Sequence, residues 1–493
     1  MHRTSTVATS LLVLRLWAGG QEVVRFDTVH QNVVGSFAVG YGVYEIDSGY
    51  RVFSLQKGFA EQSQDVYVTD FDMEGGLMSE RTFQTPKQDF FGYSSAMAPA
   101  TEGHFGGMAR FGPPDYLDSL FVYRFGNDGD TLWTRFVAVD TAWAYRNMSR
   151  TTTGDLLLTG THYPPREAYV FRLDSLGLIK SYHGYAGFDG EDVVEGRDGS
   201  WYLGGRGVAP DILNKAVLVR SDTLGNVLWQ EVLPLYGQYR SLISLRDFGI
   251  VGLGSTGDGA QGGYSLAIKY DTSGAEIWRR DLLQSDDADR ASRFHGGFEN
   301  EDSSLTVCGW LSRADTFTKG TVVRLNKHGD VLWSRLYSHF AVGGVLPWQM
   351  FWDVKPTSDG GMVLTGEANS EDYPYAQLWL LKLDSMGCLV PGCGNVGVQE
   401  YTDLFNGKLV VAPNPAIDRA SLALDLGKGI FVEGQVRAML LDATGRLVLA
   451  QEVQQNMNQL RAALDVSALP AGTYYLHLRD AKRWLAGSKV VVE

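Results

Sequence analysis

The sequence predicts an all-β protein, a seven-bladed β-propeller followed by a small Ig-like β-sandwich. A turn phrase of the form Asp-x-x-Gly, with Gly126 and Asn326 in place of Asp in two copies, recurs seven times, and strand-like runs flank each copy. Glycine accounts for 58 of the 493 residues, as a chain with many tight turns requires. No helical periodicity intervenes between the copies, which favours a repeat built of four short strands.

Composition excludes several classes of protein. With 44% hydrophobic and 12% aromatic residues, the chain can bury large cores and is not a disordered protein. Its net charge of −14 repels nucleic acids and anionic membrane surfaces, so neither is expected as a partner. Three cysteines are too few for a scaffold that depends on disulfides.

The turn phrases set the period of the repeat, with a mean spacing of 52 residues between Gly75 and Gly387. In such a turn the Asp side chain accepts the N–H two residues on, and the glycine takes the positive φ that closes a hairpin. A second phrase, a short strand ending on small residues, precedes each turn, as in Asp359–Gly366. Residues 21–395 are therefore predicted to form seven blades of four strands. The turn phrases are Asp72–Gly75, Gly126–Gly129, Asp174–Gly177, Asp222–Gly225, Asp271–Gly274, Asn326–Gly329 and Asp384–Gly387.

Tryptophan follows the turn glycine by four residues in four copies, at Trp133, Trp229, Trp278 and Trp333. The phrase Leu-Asp-x-x-Gly-x-x-Leu-Trp resembles the docking phrase of quinoprotein-like propellers, although the Asp-to-Gly turn is one residue shorter here. The resemblance implies that these tryptophans pack against the neighbouring blade, and its functional alternative is a dehydrogenase with a quinone cofactor. We expect packing and no cofactor, because a repeated residue usually serves the repeated structure.

The last repeat lacks a tryptophan strand, because Pro391 occupies the matching position and cannot donate to a sheet. Near the start of the chain, Glu22–Asp27 is strand-like and has no partner of its own. We expect this segment to complete the last blade and so to remove two exposed sheet edges.

The repeat stops after Gly394, and strand signals with their own turns follow. The acidic character of the chain ends at the same boundary. We therefore expect a linker over residues 396–406 and a separate antiparallel β-sandwich over 407–493. Its predicted strands are Leu409–Ala412, Ala420–Leu424, Val436–Leu441, Leu447–Gln451, Leu460–Leu464, Tyr474–Arg479 and Lys489–Val492.

Four motifs of this segment are more specific than its fold. They begin at Ala412, Leu440, Leu464 and Lys489, and in this order they closely resemble the type A sorting domain of the bacterial type IX secretion system. The resemblance implies an address that an outer-membrane translocon recognises and a sortase-like peptidase removes, which leaves the protein secreted or attached at the cell surface. The alternative is an accessory β-sandwich that binds carbohydrate or pads the propeller. The motif residues are Pro413, Asn414, Pro415, Gly445, Arg446, Leu469, Pro470, Gly472, Tyr474 and Lys489.

Two further features fit export. Residues 1–20 have the order of a signal peptide, although Arg15 interrupts the apolar run, and the alternative is an ordinary N-terminus. Cys388 and Cys393 lie five residues apart in a Gly/Pro turn, a spacing compatible with a disulfide in an oxidising compartment. No other stretch is long and apolar enough for a transmembrane segment.

Catalytic motifs and metal-ligand spacings are missing from the sequence, so we expect no catalytic residue, metal or cofactor. Asp189, Glu191 and Asp192 cluster before a strand, where a solvated turn explains them better than a general acid/base pair. The scattered histidines are expected to be satisfied surface or core residues. They include His104, His162, His183, His295 and His339.

Aromatic residues between Phe340 and Trp352 are the candidate ligand-binding group. Trp348, Phe351 and Trp352 are expected either to line a saccharide or peptide groove at the propeller mouth or to pack between blades. The favoured function is a non-enzymatic binding or adhesion protein with an extracellular glycan or protein ligand. The second hypothesis is a secreted hydrolase or lyase that acts on polysaccharide or peptide.

Overall fold

The computed structural model shows strands throughout the chain. It contains 36 strands and no helix in the residues that it describes, and so no helix there that could cross a membrane. The predicted signal peptide and linker lie outside these residues. The described ranges are 25–30, 37–57, 64–83, 89–90, 97–112, 116–139, 142–164, 166–257, 263–282, 291–313, 316–340, 348–369, 375–389, 409–425, 435–442, 445–456, 459–480 and 484–493.

Strands of the first half of the repeat region form three antiparallel sheets. The strands β2 to β5 and β11 to β14 pair in chain order, whereas in the sheet of β6 to β10 both β6 and β7 pair with β8. The strands are β1 (Phe26–His30), β2 (Phe37–Ile46), β3 (Gly49–Lys57), β4 (Gln64–Asp72), β5 (Leu77–Phe83), β6 (Asp89–Phe90), β7 (Met97–Pro99), β8 (His104–Gly112), β9 (Tyr116–Phe125), β10 (Thr131–Val139), β11 (Ala142–Arg150), β12 (Leu156–Tyr163), β13 (Glu167–Leu173) and β14 (Ile179–Ala186).

The second half continues with a seven-stranded sheet from β15 to β21 and a sheet from β22 to β25. The 18-residue β18 pairs with β17 through its first half and with β19 through its second half, so it belongs to two groups of four strands. The strands are β15 (Phe188–Glu195), β16 (Trp201–Gly207), β17 (Lys215–Ser221), β18 (Val227–Ser244), β19 (Ile250–Gly257), β20 (Tyr264–Tyr270), β21 (Glu276–Leu282), β22 (Ala291–Glu299), β23 (Leu305–Arg313), β24 (Thr316–Leu325), β25 (Val331–Tyr337), β26 (Gln349–Pro356), β27 (Met362–Ala368) and β28 (Gln377–Leu383).

The last sheet of this region joins the two ends of the repeat. Its order is β1-β28-β27-β26, so the earliest described strand is its outer strand. Phe26 pairs with Lys382 and His30 with Leu378, in antiparallel register. The expected completion of the last sheet by an N-terminal strand is therefore present, at Phe26–His30 instead of the predicted Glu22–Asp27.

The Asp-x-x-Gly turns form as their chemistry predicts. Asp72 Oδ1 accepts the N–H of Glu74 at 2.9 Å and that of Gly76 at 2.7 Å. Gly75 has φ +82°, a conformation that L side chains rarely adopt. The same pair of bonds forms at Asp174, Asp222, Asp271, Asn326 and Asp384.

A bulge explains the glycine that ends the second sequence phrase. The pairing of β26 with β27 skips Trp352, and a Cβ added at Gly366 would lie 1.9 Å from the carbonyl oxygen of Met350. A glycine in this position therefore lets the bulged strand β26 lie close to β27. Equivalent glycines, whose added Cβ would lie 1.8–1.9 Å from a carbonyl oxygen of the neighbouring strand, are Gly160, Gly205, Gly254 and Gly309.

The C-terminal segment forms two four-stranded sheets that share one core, as expected for a β-sandwich. All seven predicted strands are present, with ends shifted by at most five residues, and β33 was not predicted. The sheet orders are β29-β30-β34-β33 and β32-β31-β35-β36. The strands are β29 (Leu409–Ala412), β30 (Arg419–Asp425), β31 (Arg437–Leu441), β32 (Leu447–Glu452), β33 (Gln454–Asn456), β34 (Gln459–Asp465), β35 (Gly472–Arg479) and β36 (Trp484–Val492).

Candidate functional site

A bulge interrupts the strand pairing in six strands of the repeat region, which we call the first strands, and the bulged residues differ in their chemistry. The first strands are β2, β11, β15, the second half of β18, β22 and β26, and neighbouring ones contact each other. Each bulge leaves one residue without a partner in the strand pairing, and we call these residues the central ring. They are Tyr41, Arg146, Glu191, Arg240, His295 and Trp352.

One part of the central ring is aromatic. Trp352 stacks on His295 with ring centroids 4.1 Å apart, and Tyr41 lies on its other side at 5.3 Å. Burial, together with the nearby cations Arg293 and Arg240, lowers the pKa of His295 well below its usual value. This histidine is therefore a neutral core residue.

A buried carboxyl group lies beside these rings. Trp352 Nε1 donates to Glu367 Oε1 at 3.3 Å, and Trp348 also hydrogen-bonds to Glu367. Burial raises the pKa of Glu367 to about 7, although the two indole donors act in the opposite direction. The protonated and ionised forms of Glu367 are therefore both populated near neutral pH.

The other part of the central ring is ionic. Arg240 Nη1 donates to Glu191 Oε2 at 2.8 Å, and Arg146 Nε lies 3.7 Å from the same oxygen. Two residues earlier in β15, Asp189 accepts hydrogen bonds from Arg166 Nε at 2.8 Å and from Arg206 Nη2 at 3.2 Å. Together with Arg293, the four arginines beside these two carboxylates form what we call the arginine cluster. Its members are Arg146, Arg166, Arg206, Arg240 and Arg293.

The carboxylates of β15 correct the sequence interpretation. Asp189, Glu191 and Asp192 do not lie on a solvated turn, because all three are buried within the strand. Asp192 accepts hydrogen bonds from Asn147 Nδ2 and, at 2.6 Å, from the N–H of Leu242 in the next first strand. Burial raises the pKa of Asp192 to about 7. Asp192 therefore links its own strand β15 to two other first strands, β11 and the second half of β18.

The three aromatic residues predicted to bind ligand do not share one surface. Trp348 is 53% exposed and Trp352 is partly buried, and Glu367 brings these two together. Phe351 is fully buried and stacks on Trp379 with ring centroids 4.2 Å apart. Of the two roles expected for it, Phe351 takes packing, because its side chain lies in a hydrophobic core cluster.

The four repeated tryptophans lie against the turn glycine of the following repeat. A Cβ added at Gly274 would lie 3.1 Å from Trp229, and one at Gly329 would lie 2.8 Å from Trp278. Trp229 Nε1 also donates to the carbonyl oxygen of Thr272 at 3.0 Å. Trp133 and Trp333 lie in the same way against Gly177 and Gly387. These contacts are those that packing between repeats requires.

Several sorting-motif residues hold strand ends of the C-terminal segment. Asn414 donates from Nδ2 to the Lys489 carbonyl and accepts from the N–H of Val491, both at 2.8 Å. Tyr474 donates to the Pro470 carbonyl at 2.7 Å.

The other motif residues are placed as follows. Gly445 has φ +80°, and Arg446 Nε pairs with Asp442 at 3.0 Å in the same turn. Pro413, Pro415 and Gly472 are exposed, and Leu469 packs against the core of the segment.

Cysteines and metal ligands complete the predicted sites. Cys388 is disulfide-bonded, and Cys393, its expected partner, lies outside the described residues. Cys308 is free and buried. Within the described ranges no group of three or more His, Cys, Asp or Glu side chains is placed to hold a metal ion.

Comparison with solved structures returns β-propellers among proteins of low sequence identity. A protein of unknown function from Bacteroides caccae is 11% identical with a TM-score of 0.38, over 62% of this chain and 94% of that one. The β-propeller domain of the Trilobed protease from Pyrococcus furiosus is 10% identical with a TM-score of 0.41, over 74% and 98%. An acylaminoacyl peptidase from Pyrococcus horikoshii is 10% identical with a TM-score of 0.43, over 79% of this chain and 58% of that one.

No curated protein matches the chain. A family model does match its C-terminal segment, over residues 410–493, and is described as the secretion system C-terminal sorting domain. This is the segment in which the four sorting motifs lie and in which the two sheets share one core. Residues 410–493 are thus identified as a C-terminal sorting domain of the type IX secretion system.

Proposed function

We propose that this protein is a type IX secretion cargo that reaches the cell surface or the medium and binds an extracellular ligand there without catalysis. The observation that carries the proposal is the sorting domain at residues 410–493. Such a domain is an address, so the remaining part of the chain supplies the activity that is exported. The translocon and a sortase-like peptidase are the partners that the address implies.

The exported part is proposed to be a seven-bladed β-propeller. The sheets from β2 to β28 comprise seven groups of strands when β18 is counted in two groups. β26 and β27 of the last group contact β2 of the first, and β1 completes the last group. This connection between the ends is typical of closed propellers, which leave few exposed sheet edges. For the sorting domain we propose the Ig-like form of the β-sandwich.

Binding is favoured over catalysis by the way the buried acidic groups are held. Asp192 accepts hydrogen bonds from Asn147 and Leu242, and Asp353 accepts one from the N–H of Val43 at 3.2 Å. Glu191 lies between two arginines. These carboxylates are therefore occupied with joining first strands, which favours recognition over acid–base chemistry at the central ring.

A hydrolase or lyase is the second candidate, and Glu367 is the observation that favours it. A carboxyl group with a pKa of about 7 is suited to general acid catalysis near neutral pH. The indoles of Trp348 and Trp352 beside it are the kind of surface on which sugars stack.

The address is tested by following the full chain and a variant without residues 410–493 in a bacterium that has the type IX system. We expect the full chain at the surface or in the medium with its C-terminus removed, and the variant in the periplasm. Intact Glu493 on a protein that stays in the cytoplasm would overturn the assignment.

Binding and catalysis are separated by a glycan array and a panel of polysaccharide and peptide substrates, both with the exported protein. Binding without turnover is expected. Turnover that is lost in Glu367→Gln and retained in Glu301→Gln, which changes an exposed carboxylate between β22 and β23, would establish the enzyme instead.

A further inference from the structure

We infer that the arginine cluster binds an oxyanion, a carboxylate, sulfate or phosphate group, on the ligand of this protein. The inference rests on the proposed binding function and names the chemical class of the ligand. It is carried by the charges of the cluster, by the burial of its members and by their access to solvent.

Positive charge exceeds negative charge in the cluster. Asp189 is shared by two arginines and Glu191 by two others, so two carboxylates face four guanidinium groups. Arg293 is the fifth cation, and within the described ranges no carboxylate forms an ion pair with it. The cluster is therefore rich in positive charge within a chain whose net charge is −14, so this is not a general property of the surface.

Arg293 is held by groups that do not neutralise it. With its amide oriented to accept, the Gln238 oxygen lies 3.0 Å from Arg293 Nη1 and 3.2 Å from Arg240 Nε. The guanidinium of Arg293 also lies over the ring of Trp310, 6.0 Å from its centroid. Burial and the neighbouring Arg240 lower the pKa of Arg293 to about 10. Glu191, which pairs with Arg240, opposes this effect in part, and a further anion would stabilise the two neighbouring cations.

Arg206 also has unused hydrogen-bonding capacity. Its Nη2 donates to Asp189, but its Nε is buried and has no hydrogen-bond partner in the described part of the chain. A buried N–H without a partner costs free energy, which a bound oxygen atom would recover. A guanidinium group can donate from two nitrogens to one oxyanion, as Arg166 already does to Asp189.

The cluster is open to solvent on one side. The side chains of Arg166 and Arg206 are 46% and 40% exposed, whereas those of the ring members Arg146 and Arg240 are 20% and 16% exposed. An anionic group can therefore approach the cluster from solvent at Arg166 and Arg206. The acidic charge of the whole chain disfavours nucleic acids, so a small anionic group such as that of an acidic sugar fits best.

Thermal unfolding and calorimetric titration of the exported protein test the inference, with sodium glucuronate, sulfate and phosphate as probes at constant ionic strength. Glucose is the neutral control. We expect at least one of the three anions to bind and to raise the unfolding temperature, because a ligand that binds only the native state stabilises it. A response to glucuronate alone assigns the site to carboxylates, and a response to sulfate or phosphate alone assigns it to tetrahedral anions. No response to any anion overturns the inference.

Variants locate the binding. Arg293→Gln should weaken binding of the responding anion at least tenfold, and Arg206→Gln provides a second test if the first variant does not fold. Arg135→Gln, which changes an exposed arginine on β10, should leave binding unchanged. Undiminished binding in Arg293→Gln and Arg206→Gln would overturn the site. If a neutral glycan is the ligand and binds equally to all these variants, the inference is refuted and the proposed function stands. Failure of export, by contrast, refutes the proposed function and not the anion site.

Discussion

Phe26 packs against Gly75, so that a Cβ added at Gly75 would lie 2.5 Å from Phe26 Cδ2. Phe26 pairs with Lys382 in β28, and Trp333 pairs in the same way with Arg324 in β24. The phenylalanine therefore takes the position that tryptophan occupies in other repeats. It lies against the turn of the first sheet although its own strand belongs to the last one, and so it joins the two ends of the repeat region.

Replacing Phe26 with alanine should weaken this joint. Because the ring is fully buried, we expect Phe26→Ala to lower the free energy of unfolding by about 3 kcal/mol. Phe136→Ala removes a ring that is 61% exposed on β10 and should cost less than about 1 kcal/mol. Urea denaturation followed by tryptophan fluorescence measures both. Equal stability of the two variants would mean that Phe26 does not join the sheets.

The repeated tryptophans should differ in their contribution to stability, because they differ in burial. Trp278 is 8% exposed and Trp229 is only partly buried. We expect Trp278→Ala to cost about 3 kcal/mol and Trp229→Ala about 1–2 kcal/mol. Leu224→Ala, at a largely exposed turn position, is the control and should change little. If both tryptophan variants unfold at the same temperature as the control, packing between repeats is not their role.

Local chemistry made much of the fold predictable from the sequence. The Asp-x-x-Gly turns were found because their hydrogen bonds join residues two and four apart, as at Asp174. The strand Leu409–Ala412 was predicted with its exact bounds, since four successive apolar residues precede Pro413, which cannot donate to a sheet. The strand that completes the last sheet was predicted a few residues too early in the chain, because the pairing between Phe26 and Lys382 spans more than 350 residues and leaves no local signal.

The candidate site was not predictable in the same way. The central-ring position holds five different residue types in six first strands, from Tyr41 to Trp352, so it leaves no repeated phrase in the sequence. The bulges gave an indirect signal, the glycines such as Gly205 that oppose them. Carboxylates at bulges, such as Glu191, look like turn residues because bulged strands break the alternation of apolar and polar positions.

Stability should depend on pH through Glu367. Its folded-state pKa is raised to about 7 from an ordinary value of 4.5, so its stabilising contribution is present at low pH and is lost as the pH rises between these values. Glu367→Gln removes this titration. Between pH 5 and 8.5, wild type should therefore lose roughly 2–3 kcal/mol relative to the variant. Asp192 titrates in both proteins and cancels in the comparison. Parallel pH profiles for wild type and Glu367→Gln would contradict the assignment, and Glu452→Gln, at an exposed site, is the control.

The bulge explanation of the repeated glycines predicts a sharp contrast between two Gly→Ala variants. At Gly366 the new Cβ would lie 1.9 Å from the carbonyl oxygen of Met350, so the bulge at Trp352 must shift or β27 must move away. We expect Gly366→Ala to lose about 3 kcal/mol or more, because backbone atoms cannot move aside as a flexible side chain does. Gly42 lies beside the bulge of β2, and nothing lies within 4 Å of its added Cβ. Gly42→Ala should therefore match wild type or slightly exceed it, since alanine restricts the unfolded chain. Thermal unfolding of the two variants decides the matter. A stable Gly366→Ala protein would show that the bulged strand does not require glycine opposite it.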